Sequence, residues 1–174
     1  MAYQKLQVSD GLAVIPSDTI NIPDPTTAIV LDATTTGATI GTADFSVAGT
    51  LTDVGTKFTE AGIKAGAIIY NTTANKAYTV VSVDSDTQLT ITPSSAGGAT
   101  DSYSIYSDAT VGCILYVGTA GDLVAYMAAR NGNMANLPAN NRLTFKNLPN
   151  ASFMPTQVVR VGTGTTASDI IALW

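Results

Sequence analysis

The chain is 174 residues long, 45% hydrophobic and only 12% charged, with a net charge of −5 and no histidine. Ordinary soluble domains carry roughly 25% charged residues, so Thr, Ser, Gly and Asn must cover much of the surface, or neighbouring molecules must, and both fit a protein that lives in an assembly. The eight Lys and Arg are scattered from Lys5 to Arg160, which argues against nucleic acid as a partner and against a polybasic membrane anchor, since both need clustered cations.

No apolar run approaches the ~20 residues of a transmembrane helix, and the opening MAYQKLQVSDG lacks the apolar core of a signal peptide. Without histidine, Ser–His and Cys–His nucleophile systems are excluded within the chain, and the commonest metal ligand is missing. The single cysteine, Cys113, cannot close an internal disulfide. Its place in the apolar run CILYV predicts a buried, unreactive thiol.

In chain order, residues 1–25 read as an extended arm. Pro16, Pro23 and Pro25 forbid a helix through it, and Ile20 and Ile22 alternate with polar residues as in a strand. Such an arm either folds back on its own domain or lies across a neighbour. Residues 28–31 are a short strand candidate, followed by a Thr-, Ala- and Gly-rich stretch that favours extended backbone. A compact inserted unit is read over 45–106. Residues 51–54 open it, 58–66 is the best place for one or two helical turns, and Gly62 and Gly66 keep those short. Strands are expected at 67–70, 78–83, 89–92 and 103–106, with Asp84-Ser85-Asp86-Thr87 as a turn. The C-terminal part predicts strands at 114–117, 123–127, 143–145, 158–161 and 170–173. Residues 118–122 read as a hairpin turn, 131–141 as a long polar loop, and Leu148-Pro149-Asn150 and Met154-Pro155 as turns. Arg160 sits between two valines, so its side chain is expected to point away from the core, towards a neighbour's carboxylate. The fold expected is all-β: a jelly-roll-like β-sandwich base module from 1–44 and 107–174, with a small β-barrel or sandwich inserted over 45–106.

Few patterns suggest chemistry, and each has a plainer reading. Gly162, Gly164 and Ala167 fit a GxGxxA dinucleotide pattern, but too little sequence follows for the required helix and second strand, so a turn is expected. Asp84 and Asp86 could offer oxygens to Ca²⁺, yet no Glu follows at loop spacing. The pairs Asp18 with Asp24 and Asp122 with Asp169 could in principle act as acid and base in glycoside cleavage, but nothing nearby would raise a carboxyl pKa. Tyr3, Tyr70, Tyr78, Tyr103, Tyr106, Tyr116 and Tyr126, with Trp174, could form a sugar-stacking platform; spread through strands, they read as core or interface anchors. Asn71-Thr-Thr73 and Asn150-Ala-Ser152 read as exposed turns. No catalytic, cofactor-binding or metal-ligating residue is nominated, and the chain is expected not to be an enzyme.

The words ILYVGTAGDL, LTFKNLPNASFMPTQVVRV and GTTASDIIALW resemble the C-terminal signature of head-spike base proteins of tailed bacteriophages and gene-transfer agents. The matching positions are Leu115 to Asp122, Thr144, Phe145, Pro149, Pro155, Arg160, Val161, Thr163 to Ala167, Ile170 and Ala172 to Trp174. Ser17-Asp-Thr-Ile-Asn-Ile-Pro23 resembles the family's opening strand. The chain departs from the family by its insertion between Asp24 and Val111 and by a long segment over 128–141. The inserted stretch resembles small β-domains of phage virion proteins. The resemblance implies a virion structural protein on the capsid surface, made in the host bacterial cytoplasm: a cement or decoration protein or a head-spike base. Its implied partners are its own copies, as a homotrimer or homopentamer, the major capsid protein, and a fibre or spike protein. The alternative is a receptor- or carbohydrate-binding module with the inserted unit as its tip.

Overall fold

The computed structural model describes residues 8–31, 41–128 and 141–174. These residues are all-β, apart from a single 3₁₀ turn at Pro25–Thr27. The strands are β1 Gly11–Ala13, β2 Thr42–Ala43, β3 Thr50–Thr52, β4 Ile68–Asn71, β5 Lys76–Ser85 and β6 Gln88–Thr92. They continue with β7 Asp101–Tyr106, β8 Cys113–Thr119, β9 Gly121–Met127, β10 Arg142–Leu148, β11 Ser152–Val161 and β12 Ser168–Leu173. Two compact units share them. A base module comprises Met1–Pro25 and Thr110–Trp174, and an inserted unit comprises Thr26–Ala109.

The inserted unit carries an antiparallel sheet in the order β2-β7-β4-β5-β6-β3. A bridge between Asp44 and Thr52, with N–H···O distances of 2.8 and 3.0 Å in the two directions, ties the two ends of that order together. The sheet is thereby nearly closed into a small barrel, which leaves little open edge. Alternation explains the filling: Leu89 and Ile91 of β6 point inward, and Phe45, Leu51, Phe58, Ile69, Tyr78 and Ile105 complete the core. Phe45 stacks on Tyr78 and meets Tyr103 edge-on, with ring centroids 5.5 and 5.9 Å apart.

Three expectations for this region are corrected. The unit begins at residue 26 and ends at 109, not at 45 and 106, because the Ile29 N–H bonds the Ile105 carbonyl (2.8 Å) and β2 pairs with β7. Residues 28–31 form no strand, only an isolated bridge from Ala28 to Tyr106. No helix forms over 58–66. The Ala61 N–H reaches the Lys57 carbonyl in one helical turn, and then Gly62, at φ +72°, ends it. The Gly62 N–H bonds Thr59 and the Ile63 N–H bonds Phe58, the paired closure that stops a helix at a left-handed glycine.

The base module is a second antiparallel sheet, β1-β12-β8-β11-β9-β10. Strand β11 holds it together by changing partners. Its first half pairs with β8 (Ser152↔Val117, Met154↔Leu115) and its second half with β9 (Arg160↔Tyr126, Val161↔Ala125). Register shifts between Met154 and Arg160 bend the strand there, and Pro155 sits at the bend, where a missing N–H costs no ladder bond. The expected turn at Met154-Pro155 is thus a kinked strand. Residues 118–122 are not a hairpin either: β8 and β9 do not pair, because β11 lies between them. The link is a corner. Thr119 pairs with Ser168, and the Asp122 carbonyl accepts from the N–H groups of Thr166 and Ala167 at 2.9 and 3.1 Å. The core is made of Leu115, Val117, Leu123, Ala125, Val158, Val161, Ile170 and Ala172, with Val14 and Ile22 from the arm.

The described part of the arm folds back on its own module. The N–H groups of Val14, Ser17 and Ile22 bond the carbonyls of Ile170, Val161 and Val159 at 2.8–2.9 Å. Ile20 and Ile22 are buried, though outside any named strand. Most of the expected polar loop at 131–141 lies outside the described residues, as does Tyr3.

Candidate functional site

Asp18, Asp122 and Asp169 each serve a structural role of their own. Asp18 accepts the hydroxyl of Thr163 at Oδ2 and its N–H at Oδ1 (3.1 Å). The hydroxyl bond lowers its pKa, with burial opposing. Asp122 accepts from Lys146 Nζ at 2.7 Å and from the Asn147 N–H at 2.9 Å, and the lysine bond lowers its pKa as well. Both shifts run opposite to what a proton donor to a leaving group needs. Asp169 accepts from the Thr119 and Ser168 hydroxyls. Asp84, between the Ser82 and Thr90 hydroxyls at 2.6 Å each, pins the β5–β6 hairpin. No group of three or more acidic or thiol side chains able to hold a metal occurs among the described residues.

Gly162, Gly164 and Ala167 line a turn that leads into β12, not a helix. Cys113 is buried, its Sγ 3.1 Å from the Val158 carbonyl, and burial pushes its thiol up to about 12. Tyr78 and Tyr103 fill the barrel core, Tyr70 and Tyr106 are buried outside it, and none of the four offers a stacking platform. Asn71 is not an exposed turn residue: it is fully buried, donating to Asp101 Oδ2 at 2.7 Å and accepting the Ala74 N–H at 2.8 Å. Arg160 is corrected too. It is 7% exposed, its Nε donates to Asn21 Oδ1 (2.9 Å), and its Nη1 donates to the Asp18 carbonyl (2.8 Å). The guanidinium lies 5.0 Å from the Tyr126 ring centroid. Arg160 therefore clamps the module's own arm rather than a neighbour.

The outward face of this sheet is charged on β9 and β10, where Asp122, Arg142 and Lys146 lie, but carries almost no charge on β1, β12, β8 and the first half of β11. Register places Ala13, Ile171, Tyr116 and Phe153 in one row across β1, β12, β8 and β11, and Gly11, Leu173 and Ile114 in the next. Residues opposite one another on paired strands share a face. Phe153 is 61% exposed and lies tilted against Tyr116, with ring centroids 5.2 Å apart. Asp169, beside Gly118, brings one carboxylate next to these rows. At the end of the face, beside Ile114 and Leu173, opens a groove of about 160 Å³ whose walls include Val8, Gln157 and Trp174. The Trp174 indole N–H is already used, donating to Thr110 Oγ1 at 2.8 Å.

Phe153 escaped the sequence reading because the following Met-Pro pair suggested a turn; the alternation of Phe153 and Pro155 about the buried Met154 was the available signal. Charge divides between the units as well. Thr26–Ala109 carries eight Asp and Glu against three Lys, whereas the base module carries five residues of each sign. No protein-family model, curated protein or solved structure matches the chain.

Proposed function

We propose that this protein is a structural component of a tailed-phage particle, bound at the capsid surface as a cement or decoration protein or as a spike base. The observation that carries the reading is the outward face of β1, β12, β8 and the first half of β11: two rows of uncharged side chains with one carboxylate, Asp169, beside them, on a module with no net charge. A face of this kind is stabilised by contact with protein rather than water. The words that resemble the spike-base signature support it further. They occupy β8, the corner and start of β9, β10, β11 and β12, all strands of one sheet, so the resembling words fall within one structural unit. Its work would be mechanical: apolar area buried at about 25 cal/mol per Å², repeated by symmetry, strengthens a shell.

Mass spectrometry of purified particles, with antibody labelling of the chain in electron micrographs, tests this reading. The expected result is a fixed, symmetry-related copy number on the capsid; particles that lack the chain would refute it. A receptor- or carbohydrate-binding role gains nothing from the inserted unit's tyrosines, all four of which are buried.

A further inference from the structure

We infer that the outward face of β11, β8, β12 and β1 is a self-association surface, on which two copies of this chain pair about a two-fold axis with Phe153 of each seated in the other's Trp174 groove. The inference rests on the assembly role proposed above and names the partner at that face. Three observations point to a second copy. First, the face carries both a projection and a recess. Phe153 stands out in the row of Tyr116, and the groove opens beside Ile114, two residues along the same strand, about 7 Å away. A two-fold contact requires a self-complementary patch, and a knob and a hole on one patch meet that requirement. Second, the sizes agree: a cavity of about 150 Å³ takes up benzene, and this groove measures about 160 Å³. Third, charge permits a second copy and disfavours a charged partner. The two rows lack the cations or carboxylates that would match a charged surface, and the base module is neutral, so two bases meet without repulsion. The net charge of −5 on each inserted unit opposes contact through that unit instead.

Area fixes the strength. Four strands at about 4.8 Å spacing, none contributing more than about six residues at 3.3 Å, give a plan of at most about 400 Å². Stable pairs bury about 800 Å² on each side. The pair is therefore concentration-dependent in solution and becomes persistent only where a larger assembly holds copies together.

Sedimentation velocity of the full chain from micromolar to millimolar concentration, without particles, tests the inference. A reversible shift from monomer to dimer is expected, and added NaCl should not weaken it. Phe153→Asp and Ile171→Asp, both at exposed positions, should each weaken dimerisation by about tenfold or more while leaving the far-UV circular dichroism unchanged. Val54→Asp on the inserted unit should have no effect. A wild-type chain that stays monomeric, a dimer untouched by both base substitutions, or one abolished by Val54→Asp would each overturn the inference. If the chain is monomeric but Phe153→Asp still removes it from capsids, the face belongs to a shell protein and the second copy is rejected, while the capsid role stands. If the pair forms through Phe153 and no particle carries the chain, the capsid role fails and the pairing stands.

Discussion

Arg160 shows how one buried charge fixes the path of an arm. Its two hydrogen bonds reach Asn21 and the Asp18 carbonyl, far away in sequence, and its planar group covers Tyr126. Removing it strands a buried amide and a carbonyl. Arg160→Leu should therefore cost about 3 kcal/mol, the range for charged hydrogen bonds whose partners are left behind, read as a fall in the urea midpoint at constant slope. The Asp18 carboxylate makes a second tie to Thr163, and its pKa lies below the ordinary value, chiefly through the Thr163 hydroxyl. A carboxylate depressed by folding stabilises the native state above the unfolded pKa, near 3.9, and that stability is lost as pH falls through the folded value. Asp44, Asp84 and Asp122 are depressed as well, so urea midpoints should be flat from pH 7 to about 5 and fall steeply below about 4. Asp18→Asn should make that acid limb shallower; a limb as steep as wild type would show that Asp18 does not contribute. Burial of Cys113 was legible because its apolar neighbours leave one reading. The burial of Arg160 was not, because alternation reveals which face a side chain takes, not that an arm distant in sequence covers that face.

At the level of elements, strands were legible and their partners were not. Alternation in CILYVGT, QLTIT and SDIIAL marks β8, β6 and β12 directly, since each presents one row to a core. The corner between β8 and β9 reads locally as a hairpin turn. Only the insertion of β11 between the two strands, from far along the chain, excludes that pairing. Two glycines separate local from non-local constraint. Gly62 closes its turn at φ +72° with no atom near its absent Cβ. Gly62→Ala should therefore cost only the left-handed penalty, about 1–2 kcal/mol. At Gly121 a Cβ would stand 2.5 Å from the Ala167 nitrogen and 2.7 Å from its Cα. Backbone, not a flexible side chain, would have to move, and the Asp122 bonds to Thr166 and Ala167 would open with it. Gly121→Ala should cost about 3 kcal/mol or more, the upper end for forcing atoms into a packed site. Thermal unfolding of the two variants under one buffer decides the order; equal losses would show that the corner yields more easily than its contacts indicate.

The whole molecule is one fold interrupted by another, and the seam is built from hydrogen bonds on each side. The Thr110 N–H meets the Ile22 carbonyl at 2.9 Å within the base, and the Ser107 N–H meets the Thr27 carbonyl at 3.0 Å within the insert. Each unit keeps its own core. The sequence reading found the insert but cut it short at both ends, because the stretch around residue 29 has no strand pattern and owes its place to the Ile105 carbonyl. The cut matters to any attempt at separation. A fragment of 45–106 omits β2 and Asp44, which close the barrel against β7 and β3. It also omits Ile29 and Leu31, which pack on the barrel core. A fragment of 26–109 retains all of these. The longer fragment should therefore unfold in one cooperative transition, while the shorter should show a lower midpoint and a broader transition. In the reciprocal chain, a short Gly/Ser linker from Pro25 to Thr110 has little distance to span, since Ile22 and Thr110 are already hydrogen-bonded neighbours. That chain should keep the base transition and, having lost the acidic unit, should precipitate more readily near neutral pH. A 26–109 fragment without a cooperative transition would show that the barrel depends on the base for more than its point of attachment.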